Sequence, residues 1–144
     1  MGSLKELHGR ALTDAGARTI TVADIRSAVA CTEPAHAETA EWFCRFMLKP
    51  SFHLNSAGCD LIMEAGAISV IFDQLRRWPA EAEVMRNACI ALFNLANTGS
   101  AAVKSAMRSV RDYEALLRAA RASGLELRDN GTSRATDVLT QLGL

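Results

Sequence analysis

Glu64-Ala65-Gly66-Ala67-Ile68-Ser69-Val70-Ile71-Phe72, followed by Ala88-Cys89-Ile90-Ala91-Leu92-Phe93-Asn94-Leu95-Ala96, is the stretch that decides the fold. Gly66 can take the positive φ that ends one helix and starts the next. After it, Ile68, Ile71, Phe72 and Leu75 fall at i, i+3, i+4 and i+7, one face of a helix. Pro79 after Trp78 stops that helix. Ala88, Ala91, Leu92 and Leu95 repeat the same spacing on a third helix, expected over about 84–96 and closed by Asn97-Thr98-Gly99. A short helix over 60–64 precedes the pair, so the unit has three helices.

Working outward, the same columns recur on both sides at displacements of roughly 43–50 residues. Downstream, Tyr113, Leu116, Leu117 and Ala120 match the second helix, and Ala135, Val138, Leu139 and Leu142 the third. Gly124 and Asp129-Asn130-Gly131 supply a helix end and a turn between them. Upstream, Ile25, Ala28 and Val29 match the second helix; Ala40, Phe43, Cys44 and Met47 match the third. Thr21 with Asp24 reads as a capping box. Asp14-Ala15-Gly16-Ala17 repeats Glu64-Ala65-Gly66-Ala67, which pairs Gly16 with Gly66. The expectation is one all-α domain over 1–144, with units at about 4–52, 53–98 and 99–144. One unit cannot bury its apolar faces alone, and about three are needed for stability.

Composition narrows the functional classes. Sixteen basic residues balance sixteen acidic ones, so the chain has no net field to gather phosphates, and nucleic acid is not the expected partner. No apolar run reaches the ~18–20 residues of a membrane span. The four cysteines (Cys31, Cys44, Cys59, Cys89) have no zinc-like spacing. They read as free thiols of a reducing compartment, with the cytoplasm as the expected location. Pro34, Pro50 and Pro79 read as punctuation between helices. Catalysis lacks a motif: Cys31 with His36, or His53 with Cys59, could be imagined as a thiol–imidazole pair, but only spatial contact would make one, and no phosphate-cradling glycine loop occurs. No enzyme activity, cofactor or metal is expected.

The middle unit resembles the armadillo repeat family, whose unit is a short helix, a glycine-marked turn and two longer antiparallel helices. Glu64-Ala65-Gly66-Ala67-Ile68 is similar to that family's first junction, and Ala88 to Ala96 to its third helix. The related HEAT repeat is the close rival. The resemblance implies a right-handed α-α superhelix of three repeats whose third helices line a concave groove. In that family Trp and Asn four residues apart hold an extended peptide there. This chain splits the pair: Trp42 stands with Phe46, Ile90 with Asn94, and Asp137 with Gln141.

Counting 100° per residue from Ala40 puts Trp42 and Phe46 opposite the expected core. They are either an apolar hot spot for a partner or covered from within, by residues 1–10 or by a loop over 49–55. Arg45 and Arg86 flank the groove and would select acidic neighbours. The candidate contact set is therefore Trp42, Arg45, Phe46, Arg86, Ile90, Asn94, Asp137 and Gln141. The expected function is a non-catalytic adaptor for another protein or an extended peptide. The alternatives are a structural module that self-associates into a homo-oligomer, or an armadillo segment of a larger signalling protein.

Overall fold

A computed structural model describes residues 2–33, 35–127 and 130–144 of the chain. Among them run ten helices: α1 (Gly2–Arg10), α2 (Asp14–Ala17), α3 (Val22–Ala30), α4 (Ala37–His53), α5 (Asn55–Glu64), α6 (Ala67–Arg77), α7 (Ala82–Thr98), α8 (Ala101–Arg108), α9 (Tyr113–Ser123) and α10 (Arg134–Gln141). An isolated antiparallel bridge joins Leu127 to Ser133. The chain is thus all-helical, as its periodicity predicts.

Local chemistry sets the boundaries. Thr21 and Asp24 form a reciprocal capping box at the start of α3. Thr13, Ser100 and Ser133 cap α2, α8 and α10 by accepting backbone N–H bonds. Gly66 takes φ 73° between α5 and α6. Asp112 takes φ 62° at the matching junction between α8 and α9, where the sequence offers no glycine. Trp78 ends α6 just before Pro79.

Two expectations need correction. Pro50 does not separate helices: it lies inside α4, which continues to His53. Its missing N–H removes one helix bond, near the end of a helix that is held by packing on several sides. The expected loop over 49–55 is therefore the last turn of α4, Leu54, and the start of α5. Gly16, too, is not the counterpart of Gly66. It lies within α2, where an added Cβ would sit 1.8 Å from the carbonyl oxygen of Arg10. Gly58 of α5 meets the carbonyl oxygen of Pro50 at the same 1.8 Å. Gly16 and Gly58 mark places where a short helix presses onto the end of the preceding helix. Of the turn residues read from sequence, Pro34 and Asp129 lie outside the described residues.

The helices pack in rows. α1 lies on α4, α4 on α7, and α7 on α10. α3 lies on α6 and α6 on α9, while α5 contacts both α3 and α8. One continuous core runs through the rows, from Leu4 and Leu7 through Phe43, Phe72 and Leu92 to Leu117 and Leu139.

α4 shows how the rows shape a helix surface. Its buried residues form two stripes, Ala40/Cys44/Met47/Ser51 and Thr39/Phe43/Phe46/Pro50. The first stripe faces α7, because Asn94 of α7 bonds Ser51. The second faces the neighbours on the other side. At 100° per residue the two stripes span about 160° of the helix. Glu38, Glu41, Trp42, Arg45, Lys49 and Phe52 occupy the remaining arc.

Candidate functional site

The wide buried arc of α4 changes the expected contact set. Phe46 is 0% exposed and belongs to the core, so it is not available to a partner. The sequence reading allowed α4 one core-facing stripe; with α1 packed beside it, α4 has two. Trp42 is half-buried, and α1 provides its cover. The imidazole of His8 meets the indole edge-on at 5.4 Å, and Lys5 Nζ lies 5.4 Å from the ring centroid. Arg45 lies 5.1 Å from the same ring and pairs with Glu41 at 2.7 Å.

The surface on the α4–α7–α10 row opens further along, toward the C-terminal ends of α4 and α7. A groove of about 540 Å³ lies there. α4 contributes Leu48, Lys49, Ser51 and Phe52, and α5 contributes Asn55. α7 contributes Ile90, Phe93, Asn94, Asn97 and Thr98, and α10 contributes Arg134. Phe52 is 67% exposed, a large aromatic left bare at the rim.

Asn94 sits at the hub of this groove. Its Nδ2 donates to Ser51 Oγ at 3.2 Å, and that hydroxyl donates onward to the carbonyl of Met47 at 2.9 Å. The amide is therefore held in one orientation across the α4–α7 seam. Its Oδ1 has no protein donor among the described residues. The carbonyl of Asn94 accepts from Thr98 Oγ1 at 2.8 Å and from the Cys59 thiol at 3.8 Å. Such a fixed amide can accept from, and donate to, the backbone of an extended chain.

Arg134 closes the far wall. Its guanidinium stacks 4.1 Å from the Phe93 ring centroid and pairs with Asp137 at 3.2 Å. Its position is set by Glu126, a fully buried carboxylate at the N-terminus of α10. Glu126 accepts from Ser133 Oγ at 2.7 Å, from the Arg134 N–H at 3.0 Å and from the Ala135 N–H at 3.3 Å. The anion satisfies donors that the helix start leaves open and complements the helix dipole.

Of the residues expected from sequence, Ile90 and Asn94 meet in this groove. Trp42 and Arg45 lie farther back along α4, against α1. Arg86 pairs with Glu83 at 2.5 Å near the start of α7. Asp137 serves Arg134 from outside the lining, and Gln141 is exposed near the end of α10. Sequence reading missed Phe52, Phe93 and Arg134. Phe52 fell in a stretch read as loop; continuing the 100° count past Pro50 places it on the open arc, beside Arg45.

A larger groove of about 760 Å³ lies elsewhere, between α5–α6 and α8–α9. Its charges are internally matched: Arg76 pairs with Asp73 and donates to the Arg111 carbonyl, and Arg111 approaches Asp112 at 3.6 Å. None of the sequence-predicted contacts lies there.

In the imagined pairing of His53 with Cys59, both residues are engaged otherwise. His53 Nδ1 meets Asp14 at 2.5 Å, and Cys59 lies 3.5 Å from the Thr98 hydroxyl. Burial pushes the thiols of Cys44, Cys59 and Cys89 up, away from the reactive thiolate. All four cysteines are free. Among the described residues no cluster of three or more His, Cys, Asp or Glu could hold a metal ion, and no helix is long and apolar enough to cross a membrane. Comparisons with family models, curated proteins and solved structures gave no significant match.

Proposed function

We propose that this chain is a non-catalytic protein-interaction module of the armadillo-like kind, a right-handed helical superhelix that receives an extended peptide in the Asn94 groove. The single observation that carries the reading is the seam-spanning amide of Asn94, fixed by Ser51, with Phe52 bare beside it. The stacking of α1, α4, α7 and α10 in one row supports an armadillo-like frame, with these helices as its groove-lining members. The packing of α3, α6 and α9 in a second row supports it too. In this reading Ile90, Phe93 and Phe52 receive apolar side chains of the peptide, and Asn94 and Asn97 hold its backbone. Trp42 and Arg45 form the edge of the same surface. The four free thiols accord with a reducing, cytoplasmic setting.

The test is selection of phage-displayed random dodecapeptides on the wild-type chain, repeated on a Phe52→Asp/Asn94→Ala variant. Circular dichroism confirms that the variant is folded. Peptides recovered on wild type should bind the variant at least about tenfold more weakly. Equal binding to both proteins, or no recovery at all, would overturn the reading.

A further inference from the structure

Basic groups concentrate where α1 meets α4. Lys5 Nζ and the Arg45 guanidinium lie 5.4 Å and 5.1 Å from the same indole, that of Trp42, with His8 against its edge. Lys49 stands one turn beyond Arg45 and lines the groove. Burial, with the positive charges of Lys49 and Arg45 adding to it, holds His8 below the ordinary histidine value. The acids on these two helices are Glu6, Glu38 and Glu41. Glu41 is committed to Arg45, while Glu6 and Glu38 are exposed. Among the described residues Lys5 and Lys49 have no ion pair. The groove continues the pattern: its lining holds Lys49 and Arg134 and no carboxylate. Acids are present on the same two helices, but the charged groups stacked on the Trp42 ring and those lining the groove are cations.

Cations gathered around one indole repel one another, and the ring's negative face offsets only part of that repulsion. An anion placed among them relieves it. Resting on the peptide-binding reading above, we propose that the peptide in the groove is acidic. It runs from the Asn94 groove past Lys49 onto the α1–α4 edge, where its Asp and Glu carboxylates meet Lys5, Arg45 and Lys49 around Trp42. The apolar part of the peptide covers Phe52, Ile90 and Phe93. The partner is then a protein segment in which aromatic or aliphatic residues adjoin a run of carboxylates.

The dodecapeptides recovered on the wild-type chain test this directly. Their sequences should be enriched in Asp and Glu over Lys and Arg, next to an aromatic or aliphatic residue. The tightest of them, remade with Asn and Gln for Asp and Glu, should bind about tenfold more weakly. A Lys5→Glu/Lys49→Gln variant should lose about the same factor for the acidic peptide and nothing for its amide version. NMR titration of His8 supplies an independent readout: the acidic peptide should raise its pKa, and the amide version should not. Recovered peptides that are neutral or basic, or amide versions that bind equally well, would overturn the acidic partner and leave the groove reading standing. Tighter binding of a single-stranded oligonucleotide than of any peptide would overturn it as well. Failure to recover any peptide would overturn both.

Discussion

Removing the carboxylate of Glu126 should loosen α10 and destabilise the whole chain. The side chain is 0% exposed and accepts three hydrogen bonds at the start of α10, two of them from backbone N–H groups. Glu126→Ala leaves those donors buried without an acceptor. A hydrogen bond to a charged group is worth about 1.5–3 kcal/mol, and the helix-dipole contribution adds about 0.3–1 kcal/mol. The bonds share one anion and do not add fully, and Ser133 keeps its own cap on Thr136. The expected loss is about 2–4 kcal/mol, which for a chain of this size lowers Tm by roughly 6–15 °C. Glu126→Gln keeps the shape and one acceptor but loses the charge, so about half that loss is expected. Urea unfolding followed by circular dichroism measures both. Amide hydrogen exchange should show faster opening of α10 than of α4 in the alanine variant. Unchanged unfolding midpoints for both variants would refute the assignment of Glu126 as the anchor of this helix.

Phe46→Ala should cost about 3–5 kcal/mol in the same urea assay, whereas Phe52→Ala should change stability by less than about 0.5 kcal/mol, because only the first empties a packed core. A neutral Phe46→Ala would contradict the two-stripe packing of α4. Asp112→Gly should stabilise the chain by about 0.5 kcal/mol, since it removes the strain of a left-handed non-glycine residue and offsets the added chain entropy; a lower Tm would argue that the Asp112 side chain matters more than its backbone. With a thiol reagent at pH 8, Cys31 should label first, and Cys44 and Cys89 only as fast as the chain unfolds. Their thiols are buried and held protonated, so rapid labelling of either would contradict that burial.

Much of the fold was legible because periodic burial writes itself into the chain. The stripe Ile68, Ile71, Phe72, Leu75 and the stripe Ala88, Ala91, Leu92, Leu95 are buried as the spacing predicts. The capping box at Thr21 and the turn at Gly66 rest on local chemistry, which needs no knowledge of neighbours. What sequence left hidden depends on who packs against whom. Phe46 has the spacing of an outward residue for a helix with one buried stripe, and the helices packed around α4 enclose it. Gly16 resembles Gly66 in its flanking residues, yet its role comes from a carbonyl of the preceding helix. Glu126 lies in a turn where an acid is ordinarily solvated; its burial follows from the start of α10 folding back over it. Pro50 suggested a break, and the packing of α4 on both sides carried the helix through it.

The corrected position of Phe46 also reorganises the candidate site. If Trp42 and Phe46 had both been bare, the surface would have been an apolar patch, governed by burial alone. With Phe46 enclosed and Trp42 framed by Lys5, His8 and Arg45, the two ends of the surface differ in kind. The α1–α4 edge is charged, with Lys5 and Arg45 on the Trp42 ring, and the Asn94 groove is amide-lined and apolar. Exposed charges act at long range and are screened by salt over roughly 8–10 Å, so they speed encounter more than they slow departure. A fixed amide and bare aromatics act only at contact, so they govern how long a bound peptide stays. Surface plasmon resonance with the acidic peptide should therefore separate the two ends. Raising salt, or Lys5→Glu, should lower the association rate and leave dissociation nearly unchanged. Phe52→Asp or Asn94→Ala should do the reverse. If both kinds of change moved the same rate constant by the same factor, the surface would act as a single undivided patch, and the division of labour argued from Trp42 and Asn94 would be wrong.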